Sequence, residues 1–197
     1  MRGGNDLSKK EAIVDAAIEV FLEKGIEKTT VSHIVKVAGI AQGTFYLYFP
    51  SKLALMPVIA EEMVEKTMDI VQENVQDDAT FHEKLAQLVD AIFHVAKEYN
   101  EIQALIYAGL ASTEHLKEWE TVYAPFYRWI STLLTKAEQA DVVRKTMNID
   151  RTAKLVIGLI ESAAEQVYLY DNTDEVEVKR QKEEVLSFVF HALGVKG

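Results

Sequence analysis

The chain has 197 residues, of which 49% are hydrophobic, and its formal net charge at pH 7 is −10. This much apolar material is enough for a sizeable core, which excludes a disordered chain, and the sequence has no cysteine, which excludes disulfides and thiolate metal sites. No apolar run reaches the roughly 18 residues of a membrane span, and the amino terminus lacks the apolar segment of a signal peptide, so we expect a cytoplasmic protein.

The charge is unevenly distributed along the chain. Residues 1–52 contain seven Lys or Arg and six Asp or Glu, a net charge of +1, whereas residues 53–197 contain 14 and 25, a net charge of −11. The first quarter of the chain is therefore free of most of the repulsion that the rest would feel near a polyanion. This distribution permits contact with nucleic acid without requiring it.

The first predicted element is a helix that begins at Ser8 and ends at Gly25. Ser8 and Glu11 have the spacing of a capping box, and glycine is the usual left-handed residue after a helix. Five apolar residues fall on one face of this helix, namely Ile13, Ala16, Ala17, Val20 and Phe21.

Two short helices and a long one are predicted next. Thr30 caps a second helix that ends at Gly39, with Ile34 and Val37 facing inward, and a third helix covers about 42–48. Pro50 ends the third helix, and Ser51 caps a long fourth helix. We place a domain boundary near Ser51, which divides the chain into residues 1–50 and 51–197.

The rest of the chain is also predicted to be helical. Further helices are expected at about 80–99, 101–112, 115–139, 150–170 and 174–194, and Pro125 is expected to kink the third of these. No stretch alternates apolar and polar residues in the manner of a strand. The predicted fold class is therefore all-α, with about nine helices.

Residues 30–49 have the pattern of a helix-turn-helix. Gly39 provides the positive φ of a tight turn, Phe45 and Phe49 share a buried face of the third helix, and Leu47 is expected to pack at the domain boundary. The residues left on the outer surface are Gln42, Gly43, Thr44, Tyr46 and Tyr48. Glutamine pairs with adenine in the major groove, hydroxyls donate to phosphates, and the missing Cβ of a glycine allows close approach. Lys52, in the first turn of the next helix, is predicted to bind phosphate.

Residues 8–56, and above all TTVSHIVKVAGIAQGTFYLYFPSKLAL, resemble the amino-terminal domain of the tetracycline-repressor (TetR) family. The resemblance implies a three-helix DNA-binding head and a helical body that binds an effector and forms a dimer. It implies that Thr30 and Lys52 contact phosphate and that Gln42 and Gly43 reach base edges. Thr44, Tyr46 and Tyr48 would then contact backbone or bases. Two positions depart from the family: Ala41 replaces a serine or threonine cap, and Val35 replaces a small alanine.

Aromatic residues in the predicted 115–139 helix recur at spacings of three and four residues. This stripe is typical of a helical core, but tyrosine and tryptophan also need polar partners when buried, so an apolar effector pocket is the alternative. The resemblance favours the pocket. The predicted effector-binding residues are Met63, Phe93, Tyr107, Trp119, Tyr123, Phe126 and Tyr127.

The last two predicted helices are apolar on more than one face. A terminal helix of this kind indicates a partner chain, although an internal helix pair is the alternative. In similar proteins these helices form a four-helix bundle across a two-fold axis. The predicted dimer-interface residues are Leu159, Ala163, Val167, Leu186, Val189, Phe190 and Leu193.

The competing class is an all-helical carrier or enzyme. The paired Glu-x-x-His of di-iron bundles is missing, as are the nucleophile, metalloprotease and phosphate-loop motifs. Glu161 and Glu165 lie one turn apart, where they suit a cation or a ligand amine, but a solvated face or a pair to a lysine is favoured. We therefore expect neither catalytic residues nor a metal or other cofactor. The predicted function is that of a homodimeric transcription regulator, a repressor released from a palindromic operator by a small apolar or amphipathic molecule.

Overall fold

A computed structural model of the chain describes residues 3–111, 119–170 and 174–195. These residues form nine α-helices and no strand, which confirms the all-α prediction. The helices are α1 (Gly3–Lys24), α2 (Val31–Ala38), α3 (Gln42–Tyr48), α4 (Met56–Asn74), α5 (Phe81–Glu98), α6 (Asn100–Ala111), α7 (Trp119–Gln139), α8 (Ile149–Glu165) and α9 (Glu175–Leu193). A 3₁₀ turn, Lys52–Leu55, precedes α4, and a π-helical turn, Gln166–Tyr170, follows α8.

The chain divides into two compact units. The first, which we call the head unit, contains Met1–Met63 and Glu101–Val122. The second, the body unit, contains Val64–Asn100 and Tyr123–Gly197. The domain boundary expected near Ser51 stays a prediction. None of the described helices is long and apolar enough to cross a membrane.

The start of α1 differs from the prediction. The helix begins at Gly3 rather than at Ser8. A serine is only a weak start signal, since a hydroxyl in the first turns of a helix can remain outside while the backbone continues its ladder. The predicted end is confirmed, because Gly25 has a φ of +76° and its N–H donates to the Phe21 carbonyl.

The predicted turn chemistry of the helix-turn-helix is confirmed. Thr30 caps α2 by accepting a bond from the His33 N–H, and the His33 ring accepts the Thr30 N–H in return. Gly39 ends α2 with a φ of +65°, where a side chain would be strained. Ser51 differs from the prediction in one respect: by accepting the Ala54 N–H it caps the 3₁₀ turn Lys52–Leu55, and the long α4 begins only at Met56.

The core of the head unit lies where α1, α2 and α3 meet. Phe21, Ile34 and Phe45 are fully buried there, together with the predicted inner face of α1. The inward placement of Val37 is wrong, because this side chain is 46% exposed. The buried pair in α2 is Ile34 and Val35, and Val37 lies about 100° away from their shared face at a helical repeat of 3.6 residues.

Helix α6 approaches the start of α4 very closely within the head unit. A Cβ atom on Gly109 would lie 2.1 Å from the Met56 sulfur and 3.3 Å from the Ile26 Cδ1. Met56 is itself fully buried, so its side chain has little room to move away. Glycine therefore permits the contact that fixes this part of α6 against the turn after α1.

The core of the body unit is built on α5, which packs against α8 and α9. Thr80 caps α5 with Glu83 in a reciprocal box, and this bonding holds the pKa of Glu83 below its usual value. The fully buried side chains of the body include Leu85, Leu88, Phe93, Phe126, Ile130 and Leu134. Pro125 lies inside α7, and its predicted kink stays a prediction.

Candidate nucleic-acid interface and effector region

The outer surface of α3 carries the residue types predicted to read DNA. Gln42, Gly43 and Tyr46 are exposed, whereas Thr44 and Tyr48 are half-buried. The cap residue Ala41 makes no side-chain hydrogen bond to the first turn, as its methyl side chain dictates. The backbone N–H groups at the start of α3 are thus left without a side-chain cap.

A buried aromatic pair supports this surface from behind. Phe45 and Phe49 are 0% and 3% exposed, with ring centroids 5.8 Å apart. The Tyr46 ring packs edge to face against the Phe45 ring, with the two centroids 5.5 Å apart. This contact anchors the Tyr46 side chain while part of it remains accessible to solvent. The aromatic residues of this segment therefore have two roles, an inner pair that packs and an outer pair that faces away.

Leu47 is placed differently from the prediction. Its side chain is 82% exposed, the largest exposed fraction among the large apolar residues of the described chain. The expected packing at the domain boundary is wrong, because position 47 lies on the face of α3 opposite Phe45 and Phe49. Sequence reasoning missed this residue, although its helical register pointed outward.

Lys52 makes a set of bonds that the sequence did not indicate. Its ammonium donates to the carbonyls of Ile26, at 2.6 Å, Glu27, at 3.1 Å, and Thr29, at 2.6 Å. These carbonyls belong to the turn between α1 and α2, which thereby gains a cation at the carboxyl end of α1. The predicted phosphate contact of Lys52 stays a prediction, but all three of its donors are occupied in this structure.

Thr29 and Thr30 hold the same turn. The buried Thr29 hydroxyl lies 2.8 Å from the Gly25 carbonyl and 3.3 Å from the Val20 carbonyl. Thr30 is exposed at the amino end of α2, where its hydroxyl accepts the His33 N–H. The turn therefore has a fixed shape, and Thr30 lies at its outer edge.

The predicted effector residues lie in both units. Met63 and Tyr107 belong to the head unit, where Met63 is buried and Tyr107 is exposed. The side chain of Trp119 lies outside the described residues. Four others belong to the body unit, where Phe93, Tyr123 and Phe126 are buried and Tyr127 is half-buried.

The structure brings three of these aromatic residues together on α7. The Tyr123 ring lies 5.7 Å from Tyr127 and 6.5 Å from Phe126. Phe93 makes a ring contact with Tyr168 instead, at 6.3 Å. The stripe on α7 thus forms a small aromatic cluster, which we call the α7 cluster: Tyr123, Phe126 and Tyr127.

A carboxyl group lies against this cluster. The Tyr123 hydroxyl donates to Glu161 Oε1 across 2.9 Å, joining α7 to α8. Burial raises the pKa of Glu161 to about 8, against the lowering effect of the Tyr123 bond and with a further increase from the charge of Glu165. Glu161 is therefore half-buried and bonded to a tyrosine, neither fully solvated nor paired with a lysine of the described chain. Its spacing from Tyr123 along the chain offered no signal, because only packing brings the two together.

The predicted dimer residues fall into two groups. Ala163, Val167, Val189 and Leu193 are buried within the chain itself, so α9 has its own internal stripe and is not apolar all round. Leu159, Leu186 and Phe190 are half-buried. The most exposed apolar side chains of these helices are Leu155, at 72%, and Phe188, at 64%.

Comparison with known proteins gives a consistent family assignment. Residues 13–58 match the bacterial regulatory proteins of the tetR family, and residues 85–193 match the tetracyclin repressor-like C-terminal domain. The chain is 41% identical to the uncharacterized HTH-type transcriptional regulator YvdT of Bacillus subtilis, over 94% of this chain and 95% of that protein. It is 26% identical to the fatty acid metabolism regulator protein of Bacillus subtilis, over 76% of this chain and 78% of that protein.

A solved structure has the same fold. FadR from Bacillus subtilis, in complex with stearoyl-CoA, superposes with a TM-score of 0.75 at 22% identity, covering 91% of this chain and 97% of that one. The relatives are transcriptional regulators rather than enzymes, which confirms the predicted class. The chain belongs to the TetR family of helix-turn-helix transcriptional regulators.

Proposed function

We propose that this regulator is a cytoplasmic repressor that binds a palindromic operator as a homodimer and leaves it when a small apolar or amphipathic molecule binds. The proposal is carried by the surface of α3, where polar and hydroxyl side chains stand on the buried pair Phe45 and Phe49. Recognition of bases in the major groove needs an exposed helix face with hydrogen-bonding side chains, and the buried pair holds that face in a fixed position. A carrier or enzyme without a DNA-binding role is not favoured by any of the relatives.

Each exposed residue of α3 has a role that suits its chemistry. Gln42 pairs with the edge of an adenine, and Gly43 lets the backbone approach the bases. Thr44, Tyr46 and Tyr48 donate hydroxyls to phosphates or bases. We add Leu47 to this interface, since an exposed apolar side chain in the major groove makes its best contact with a thymine methyl group.

The turn between α1 and α2 supports the interface at its edge. Thr30 lies at the start of α2, where its hydroxyl reaches phosphate while still accepting the His33 N–H. Lys52 holds the turn through three carbonyls, so it positions Thr30 rather than contacting phosphate itself.

Operator selection from random duplex DNA tests the interface. We expect selected sites to be palindromic, with half-sites about one helical turn or a multiple apart. Gln42→Ala should relax the base preference at one position of each half-site, whereas Tyr46→Phe should weaken binding to all sequences by a similar factor. Wild-type protein that selects no common sequence would contradict the proposal.

Replacing single thymines by uracil in the selected operator tests Leu47. Removal of the thymine methyl group that Leu47 contacts should weaken operator binding by the wild-type protein. The same replacement should leave the operator affinity of Leu47→Ala unchanged. Val37→Ala, an exposed apolar substitution on α2, is the matched control and should respond to uracil as the wild type does. Equal sensitivity of Leu47→Ala and wild type at every thymine would exclude the contact.

The dimer surface is proposed on α8 and α9. Leu155 and Phe188 expose large apolar side chains there, with the half-buried Leu159 and Leu186 beside them in the same helices. A stable interface buries at least about 1,000 Å², and apolar side chains of this size are its usual centre. Four of the residues first predicted, Ala163, Val167, Val189 and Leu193, support this surface from inside the chain.

Sedimentation at micromolar concentration tests the dimer. Leu155→Glu should give monomers, because a buried unpaired charge costs several kcal/mol, on the order of the whole interface. Leu22→Glu, at an exposed apolar position of α1, is the matched control and should remain dimeric. A wild-type monomer that binds a single half-site with full affinity would contradict the proposal.

The effector region is proposed in the body unit, where it includes the α7 cluster together with Phe93. A relative regulates fatty acid metabolism and a solved neighbour holds stearoyl-CoA, so amphipathic compounds are the first class to screen. Compounds that raise the melting temperature should be tested for release of operator DNA. If no apolar or amphipathic compound does both, the α7 cluster is core alone.

A further inference from the structure

The contact between Tyr123 and Glu161 is unusual for a structural bond. Tyr123 is 7% exposed, and the bond to Glu161 Oε1 is 2.9 Å long. Three of the α8 residues near Glu161, namely Ile157, Ile160 and Ala164, are buried. A carboxyl group set among apolar side chains costs free energy unless it is paired or serves a function.

No cation of the described chain is paired with Glu161. Its one hydrogen-bond partner there is the Tyr123 hydroxyl, and the charge that acts on it is that of Glu165, a like charge one turn away. Two carboxyl groups and a phenol therefore face one another with no ammonium or guanidinium opposite Glu161. An enclosed carboxyl group without a counter-charge is a ready partner for a cation brought from outside, because the cation stabilises its ionised form.

Glu161 is also reachable. Surrounding protein atoms remove enough water to raise the pKa of its carboxyl, yet the residue keeps part of its accessible surface. A carboxyl group that is largely desolvated but still partly exposed is one that a ligand can reach.

The aromatic neighbours complete the chemistry. The Tyr123 ring lies 6.5 Å from the Phe126 ring and 5.7 Å from the Tyr127 ring along α7. The Tyr127 ring accepts a cation on its face in this structure, since the Lys154 ammonium lies 5.0 Å from its centroid. Aromatic faces beside a carboxylate form the environment that recognises ammonium groups, including those with no N–H to donate.

We propose that Tyr123 and Glu161 are the polar anchor of the effector site and that the effector carries a protonated or quaternary amine on an apolar body. The inference rests on the proposed effector-released repressor and names the chemical class that its site accepts. The apolar body of the ligand lies against the α7 cluster, and its ammonium group lies against the Glu161 carboxylate. Tyr123 positions that carboxylate and shares its negative charge.

Two ligands of the same shape test the proposal. Phenyltrimethylammonium and tert-butylbenzene differ in charge but hardly in size, so their affinity ratio isolates the contribution of the cation. Wild-type protein, titrated by calorimetry, should bind the cation at least about tenfold more tightly. In Glu161→Gln the ratio should fall to within about threefold, with the affinity for tert-butylbenzene unchanged.

One further variant provides a second test of the anchor, and another controls for net charge. Tyr123→Phe keeps the ring but removes the hydroxyl, so the cation should lose severalfold in affinity while the neutral ligand does not. Glu184→Gln removes an exposed charge from α9 and should leave the ratio at its wild-type value, which controls for the net charge of the body. If Glu161→Gln fails to fold, the Tyr123→Phe ratio decides the matter.

The outcomes separate this inference from the proposed function. A ratio near one in wild-type protein, or an equal ratio in wild type and Glu161→Gln, overturns the cation anchor. If operator DNA is then released by stearoyl-CoA or by another anionic amphiphile, the effector-released repressor stands and only the chemical class is wrong. Release by the cation in wild type, lost in Glu161→Gln while operator binding is retained, supports both.

Discussion

The head and body units use polar residues in opposite ways. On α3, Gln42 and Tyr46 are exposed and the buried residues behind them are purely aromatic. In the body unit the polar group of interest, Glu161, is enclosed among apolar side chains and bonded to a buried tyrosine. A surface that reads DNA needs no cavity, whereas recognition of a small molecule needs a polar group that water does not already occupy.

The largest expected effect comes from removing a buried aromatic side chain behind the exposed face of α3. Phe45→Ala should lower the free energy of unfolding by about 3–5 kcal/mol, because it empties a fully buried aromatic position, and it should abolish operator binding. Tyr46→Ala should weaken operator binding with a much smaller change in stability, since the side chain is 52% exposed. Urea denaturation and operator titration of both variants check the expectation. Equal destabilisation by the two would show that α3 has no inner and outer face.

The head could be predicted well because its chemistry is local. Thr30, Gly39 and Ser51 each act on residues within five positions of themselves, and these caps define the ends of α2 and α3. The bonds that Lys52 makes to the turn after α1 could not be predicted for the opposite reason, since they reach back 23 to 26 positions along the chain. A motif specifies which residue types recur, but their partners depend on how the helices pack.

The body was predictable only as a set of helices. Aromatic spacing indicated the buried face of α7, and Phe126 and Ile130 are indeed fully buried. The position of Glu161 against Tyr123 joins residues 38 positions apart, and no periodicity contains that information. Likewise, a continuous apolar run does not tell which side faces the chain's own core, where Ala163 of α8 and Val167 of the following π-helical turn are buried.

The second prediction asks whether Lys52 belongs to the reading surface or to its support. Lys52→Met removes three hydrogen bonds from a charged donor and should lower the free energy of unfolding by about 2 kcal/mol. As a positioning residue it should also weaken operator binding without changing the salt dependence of the affinity. A direct phosphate contact would instead reduce the slope of log K against log salt by about 0.9. Lys36→Met, an exposed lysine of α2, is the stability control and should cost less than about 0.5 kcal/mol.

The third prediction uses pH to examine the enclosed carboxyl of the body. Because the pKa of Glu161 is raised from 4.5 to about 8, the folded protein holds this proton more tightly than the unfolded chain. Its contribution to stability is therefore full below pH 4.5 and is lost as the pH rises to about 8. Glu161→Gln should consequently gain roughly 3 kcal/mol in the free energy of unfolding relative to wild type between pH 5 and pH 8. Urea denaturation at pH 5 and pH 8 measures the difference in the free energy of unfolding between the variant and wild type, with Glu184→Gln as the control. If this difference is the same at both pH values, Glu161 is solvated.

The smallest expected effect concerns the outer face of the body. Gly158 lies exposed in the middle of α8, with no atom within 4 Å of where a Cβ would be. In a single chain, Gly158→Ala should stabilise the protein by up to about 1 kcal/mol, because alanine loses less backbone entropy in a helix. In the proposed dimer the same methyl group meets the partner's helices and should weaken association. Gly158→Ala is therefore introduced both into the wild type and into the monomeric Leu155→Glu variant. We expect it to stabilise only the monomeric variant and to increase the dissociation constant of the wild-type dimer. The same stabilisation in both backgrounds, with unchanged sedimentation, would place the dimer contact elsewhere on the body, since a glycine that faces solvent in every state can respond to alanine in only one way.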